Sequence, residues 1–239
     1  TKAGPAVGDH LSGTYMAAAV NLALINRKKT GEGQRIDIAI LDCLFSILEA
    51  APITYALTGK VPQRVGNSYP SISPYDTFKA KDGYVSIGIS TDNQWIRFCD
   101  ALGMDDLKAD EKYKTNESRG DNYESGLKEA IEKVTSKMSK FEIEKKLNDA
   151  KLACGAVCTV AESMENEQIK ERNMLVEIDD KSIGKIRIPG TVIKMSDTPG
   201  GFTQGAPLLG EHTEMYLKYL GYTDEKIAEL EKNKVIQIS

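Results

Sequence analysis

Thr14-Tyr15-Met16-Ala17-Ala18-Ala19-Val20-Asn21-Leu22-Ala23-Leu24-Ile25 is apolar at nearly every position over roughly three helical turns. A helix apolar on every side must be covered on every side. The basic run Arg27-Lys28-Lys29 suits the negative end of such a helix, and Gly31 and Gly33 stop it. Arg35-Ile36-Asp37-Ile38-Ala39-Ile40 then reads as a short strand. Leu41 to Leu57 reads as a second apolar helix, broken at Pro52. Helix, strand, helix is the alternation of an α/β fold. Too little chain precedes Thr14 to cover the first helix, so its packing partners are expected outside these residues.

The chain has 239 residues, enough for one large domain or two small ones. Hydrophobic residues make up 41% and charged residues 28%, the balance of a soluble globular protein. There are 31 basic and 35 acidic residues, a net charge of -4, which argues against a basic nucleic-acid-binding face. The sequence shows no signal peptide and no uncharged apolar run of membrane-spanning length, so the expected compartment is cytoplasmic, with neither nucleic acid nor membrane as partner. Cys43, Cys99, Cys154 and Cys158 fit neither a disulfide scaffold nor a paired-CxxC zinc site. With His10 and His212 as its two histidines, the chain is expected to hold no metal.

Gly59 to Pro74, with Pro62, Gly66, Asn67 and Pro70, reads as a linker. A hairpin follows: Tyr75 to Phe78, a turn at Lys81-Asp82-Gly83, then Tyr84 to Ile89 with Val85, Ile87 and Ile89 on one face. Thr91-x-x-Gln94 is a capping box opening a helix with Trp95, Phe98, Cys99 and Leu102 inward and Gly103 as its stop. Leu127, Ile131, Val134 and Met138 mark another helix. Ser139-x-x-Glu142 caps the next, with Phe141, Leu147 and Ala150 inward. Residues 75–163 therefore read as a small α+β domain. Beyond it, Met164 to Met174 reads as a polar helix, and Val176–Ile178, Gly184–Ile188 and Thr191–Met195 as short strands. Helices over Glu211–Leu220 and from Thr223 close the chain.

Asp9 is the residue with chemical promise. It follows Gly8 and precedes the apolar helix, where free N–H groups stabilise a negative charge. From local sequence it reads equally as a helix cap. His212 reads as a structural helix-start residue, Arg27 and Asp42 as polar anchors, and Trp95 as core.

Val7-Gly8-Asp9-His10-Leu11-Ser12-Gly13, Arg27, Thr30-Gly31-Glu32-Gly33-Gln34-Arg35-Ile36-Asp37 and Asp42 together resemble the central signature of the family III CoA-transferases. Val65-Gly66-Asn67, Pro74-Tyr75 and Lys81-Asp82-Gly83-Tyr84 resemble that family's entry to its small domain. Pro207-Leu208-Leu209-Gly210-Glu211-His212-Thr213 and Leu220-Gly221-Tyr222 resemble its ending. The matches run in order along essentially the whole chain. Family members are longer, and the Gly-Asp pair sits well inside them. The resemblance therefore implies a chain that corresponds to the portion from the catalytic Asp loop onward, without the N-terminal half that supplies much of the CoA-nucleotide site.

The resemblance implies an α/β fold: part of a Rossmann-like large domain with an inserted α+β small domain. Residues 1–58 would be a large-domain segment with the catalytic loop, 59–74 the linker, 75–163 the small domain, and 164–239 the return to the large domain. It implies an interlocked homodimer at full length. It maps the catalytic aspartate to Asp9, with Gly8, His10, Ser12 and Gly13 around the bound CoA moiety, and small residues here let backbone approach substrate closely. Acyl-CoA and a carboxylic acid are the implied substrates, coenzyme A being a substrate and no cofactor permanently bound. The region Gly66 to Pro74 departs from relatives in which a glycine-rich loop covers the active Asp, since Gly66 is its single glycine. Two other readings stay open: an α-methylacyl-CoA racemase of the same superfamily, from which His10-Leu11-Ser12 leans away, and a catalytically inert fragment.

Overall fold

The computed structural model describes residues 4–202 and 204–239. The chain divides into two compact units, residues 1–70 and 71–239.

In the first unit, helix α1 runs Val7–Thr30, α2 Ile40–Ser46 and α3 Ala51–Thr58. The apolar stretch does form a helix, but that helix begins seven residues earlier than Thr14 and takes in Gly8 to Gly13. Those residues are two helical turns rather than a loop. Gly31 ends α1 in the left-handed conformation (φ 79°), its N–H donating to the Arg27 carbonyl at 2.8 Å. α1 packs on α2. No residue of α1 is buried within the chain: Leu22 is 67% exposed and Ile25 55%.

The expected strand at 35–40 is not formed. Residues 32–39 are irregular, and Ala39 is extended (φ -97°, ψ 135°) before α2 starts. A strand exists through its ladder hydrogen bonds, and among the described residues no neighbour pairs with this segment. Pro52 also acts differently than expected. The helix breaks at residues 47–50, where Glu49 takes a positive φ (52°), and Pro52 sits in the first turn of α3. A missing N–H costs nothing there. α2 and α3 are bent by 74°; no single helix among the described residues is long and apolar enough to cross a membrane.

The second unit opens with the hairpin β1 (Tyr75–Ala80) and β2 (Gly83–Gly88), followed by α4 (Asp92–Leu102), α5 (Asp105–Ala109), α6 (Asn116–Asp121), α7 (Lys128–Thr135) and α8 (Lys140–Asp149). Strand β3 (Ala153–Ala156) pairs antiparallel with β2, Ile87 opposite Cys154, giving the sheet order β1-β2-β3. The core lies between this sheet and α4, α7 and α8. Phe78, Val85, Ile87 and Ile89 from the sheet region meet Trp95, Phe98, Leu127, Ile131, Ile143 and Leu147. The Thr91–Gln94 capping box, the Gly103 stop and the Ser139 cap all form as read. Phe141 does not turn inward. It is 46% exposed, and Ile143 takes the buried position. The helix phase that buries Leu147 also buries Ile143, four residues earlier, and turns Phe141 outward.

After α9 (Val160–Glu165) and α10 (Glu167–Glu171), the strands β4 (Leu175–Asp180) and β5 (Gly184–Pro189) form a separate hairpin. α11 (Thr213–Tyr219) and α12 (Asp224–Lys232) end the chain. Residues 191–195 are irregular rather than a strand; among the described residues the sheet of β4 and β5 has no third member.

Two buried charges hold the core in register. Arg119 is fully buried under the Trp95 ring (5.2 Å to the ring centre). It donates to the carbonyls of Ser73 (2.7 Å), Tyr113 (3.0 Å) and Lys114 (3.2 Å), and to Asp92 Oδ1 (2.9 Å). Arg119→Ala leaves those carbonyls unpaired, at about 1–3 kcal/mol each. The expected loss is at least ~3 kcal/mol, read as a lowered urea midpoint.

Asp76 is buried and accepts from Thr77 N–H (2.6 Å), Tyr123 Oη (2.8 Å) and Lys128 Nζ (2.6 Å). Burial alone would raise its pKa; the bonds from Lys128, Thr77 and Tyr123 outweigh that and hold it below the ordinary value. The proton thus binds the unfolded chain more tightly than the folded one. Asp76 contributes stability above the ordinary carboxylate pKa of about 4, and that contribution is lost as pH falls through it towards the lower folded value. Asp76→Asn should therefore flatten the dependence of stability on pH below about 4, measured by denaturation at stepped pH.

Candidate functional site

Val7, Gly8 and Asp9 are the first three residues of α1. Ala6 precedes them and makes no side-chain cap. The N–H of Val7 donates to the Pro5 carbonyl (2.9 Å) and that of His10 to the Ala6 carbonyl (3.1 Å). Among the described residues the N–H groups of Gly8 and Asp9 have no acceptor. These are two of the unpaired donors every helix start carries, and they add to the positive end of a 24-residue helix.

Asp9 is exposed within this chain. At 100° per residue, Ser12 and Gly13 follow it on the same helix face, three and four positions on, while His10 turns away from it. His10 is exposed. Ser12 is half-buried, and its Oγ donates to the Asp9 carbonyl at 3.1 Å. Gly13 has open space where a side chain would stand. Gly8 is the opposite case. A Cβ placed on it would lie 3.0 Å from Ile40 Cγ2 and 3.4 Å from Leu44 Cδ1. Further along the same seam, Tyr15 Oη meets Ser46 Oγ at 3.3 Å. The five expected site residues thus share the first two turns of α1, but Gly8 faces α2.

The profile of CoA-transferase family III matches residues 1–213. This chain belongs to CoA-transferase family III. Among relatives of the same family, it is 33% identical to the succinate–glutarate CoA-transferase of Agrobacterium fabrum, over 92% of this chain and 54% of that protein. It is 36% identical to the succinyl-CoA:mesaconate CoA-transferase of Haloarcula marismortui, over 92% of this chain and 55% of that protein. A CAIB/BAIF family protein of Brucella suis superposes with a TM-score of 0.76 at 32% identity, over 92% of this chain and 57% of that one. The α/β fold class of the family is therefore present. The chain spans about half the length of the curated relatives it matches.

Two other places in this CoA-transferase family member have chemical potential and do not suit acyl transfer. A cleft of about 1370 Å³ by α8, α9 and α10 is lined by Glu144, Glu162, Glu165, Glu167 and Glu171, with Lys170 and Cys158. Its charge repels phosphates and carboxylates alike. Glu162 is committed to Lys140 at 2.8 Å, and that bond, with those from Thr159, draws its pKa down to about 2. Cys154, in β3 opposite Ile87 of β2, has its thiol pushed up to about 12, by burial first and then by Glu144. It stays protonated at neutral pH and is no nucleophile. Among the described residues no cluster of metal-ligating side chains forms.

Proposed function

We propose that the chain supplies the nucleophile-bearing part of a CoA-transferase that moves CoA between an acyl-CoA and a carboxylic acid, with Asp9 as the covalent nucleophile. The observation that carries this reading is the position of Asp9 in a family III chain, third in a long helix beside two N–H groups that have no acceptor among the described residues. The Asp9 carboxylate attacks the thioester carbonyl carbon, the C–S bond breaks, and CoA thiolate leaves an aspartyl–acyl mixed anhydride. The thiolate then attacks the aspartyl carbonyl, releasing the donor carboxylate and leaving an aspartyl-CoA thioester. The acceptor carboxylate runs the same steps backwards. No proton changes hands, so no general base is required; the catalytic demands are alignment, oxyanion donors and exclusion of water. The N–H groups of Gly8 and Asp9 are the oxyanion donors in this reading.

The relatives named above act, by their names, on succinate, glutarate or mesaconate, so succinyl-CoA is the donor to test first. Two full-length copies interlock, as the family resemblance implies. We place the protein in the cytoplasm, a reading supported by its four free cysteines.

The test is trapping. The complete enzyme is incubated with succinyl-CoA, quenched with hydroxylamine or borohydride, and mapped by peptide mass spectrometry. The expected adduct lies on the peptide carrying Asp9. An adduct on Cys154 or Cys158 instead, or exchange of a substrate α-proton with solvent deuterium and no adduct, overturns the proposal.

A further inference from the structure

We infer that Ile40 and Leu44 of α2 are positioning residues that set the place of Asp9 through the bare Cα of Gly8; this rests on Asp9 being the nucleophile. Gly8 was expected to let backbone approach substrate. Its Cα instead faces a wall of side chains, with a Cβ there standing 3.0 Å from Ile40 Cγ2 and 3.4 Å from Leu44 Cδ1.

The first of these distances is tighter than ordinary van der Waals contact, so one side must give by a few tenths of an ångström. Ile40 gives way poorly. It is β-branched, so Cγ2 hangs directly on Cβ and cannot swing clear as the end of a long side chain would. Leu44, one turn on, closes the seam behind it. The part free to move is the start of α1, which has no side-chain cap at Ala6 and continues directly into Asp9. A shift there of a few tenths of an ångström or more is carried by the attacking carboxylate and by the Gly8 and Asp9 N–H groups together. Misplacement on the scale of 1 Å costs about 100-fold in an aligned reaction. Elsewhere in a helix, Gly→Ala favours the helix. Stability and activity should therefore part company at this position.

In the complete enzyme, Gly8→Ala is expected to lower kcat by about 10- to 100-fold. KM should stay within about threefold and the melting temperature should be unchanged or raised. Ile40→Ala alone, which takes away the wall that Gly8 rests on, should lower kcat by about three- to tenfold, and Gly8→Ala/Ile40→Ala should be faster than Gly8→Ala, because the Cβ then enters the space Cγ2 vacates. Ile40→Phe, which presses on Gly8 from the other side, should slow turnover with the glycine intact. Trapping on each variant should show slower build-up of the Asp9 adduct at the same site. A Gly8→Ala enzyme that keeps full kcat, or a loss that Ile40→Ala does not relieve, overturns the inference and returns Gly8 to direct substrate contact. Wild-type enzyme that forms no adduct on Asp9 fails at the earlier step, the nucleophile assignment, and takes this inference with it.

Discussion

Asp9→Asn is expected to lower CoA transfer by at least several hundredfold while leaving the fold intact. The substitution keeps the shape of the side chain and its place in the first turn of α1. It removes the one property the proposed chemistry needs, a carboxylate oxygen able to form and release an anhydride. An amide is a far poorer nucleophile, and its attack product does not lead to an exchangeable thioester. The structural cost should be small. Asp9 is exposed, and the helix's N-cap position is held by Ala6. Losing one negative charge near the positive end of a helix costs about 0.3–1 kcal/mol. Acyl-CoA should still bind, so the loss falls on kcat rather than KM. Steady-state transfer from succinyl-CoA, with circular dichroism to confirm the fold, reads both halves of the expectation. Near-normal transfer by Asp9→Asn would remove the nucleophile assignment.

What could be read from the residues alone divides along a physical line. Local signals were legible. The Thr91–Gln94 capping box, the Gly31 and Gly103 stops and the alternation of Val85, Ile87 and Ile89 each depend on a few neighbours in sequence, and each is in place. Features made by distant pairing were not. β3 is Ala153-Cys154-Gly155-Ala156, a weak strand by composition, and it exists through β2. Its Cys154 lies opposite Ile87 in that pairing. Arg35 to Ile40 has the reverse history: it carries strand character and finds no partner among the described residues. Arg119, Asp76 and Lys140 are charged, which in sequence marks a solvated face, yet all three are buried and satisfied by partners up to 52 residues away in sequence. At the candidate site, the Gly-Asp signature located Asp9. It could not tell that Gly8 faces Ile40, since that depends on how α1 meets α2.

The 239 residues expressed by themselves should bind CoA poorly and associate with one another. α1 is the reason. Tyr15, Met16, Val20, Leu22, Leu24 and Ile25 are 38–67% exposed, and no residue of the helix is buried by the chain. Each such side chain left in water forgoes on the order of 1 kcal/mol. A contiguous apolar face of this kind drives association unless something covers it. For CoA, the family resemblance implies that most nucleotide contacts come from the N-terminal half of the longer family members. A Kd no tighter than about 1 mM, worth about 4 kcal/mol, is expected for the isolated chain. Residues 75–156 should behave differently. Their core of Phe78, Ile87, Trp95, Phe98, Leu127 and Leu147 is fully covered by their own elements, and Arg119 and Asp76 are paired inside it. Hydrogen exchange should therefore show strong protection over residues 75–156 and weak protection over 7–30, with light scattering reporting species larger than a monomer. Adding the N-terminal portion that the longer relatives carry should, in the proposed reading, raise protection over 7–30, tighten CoA binding and restore transfer. A monodisperse monomer that binds CoA tightly and protects 14–25 strongly would show that these residues suffice without it.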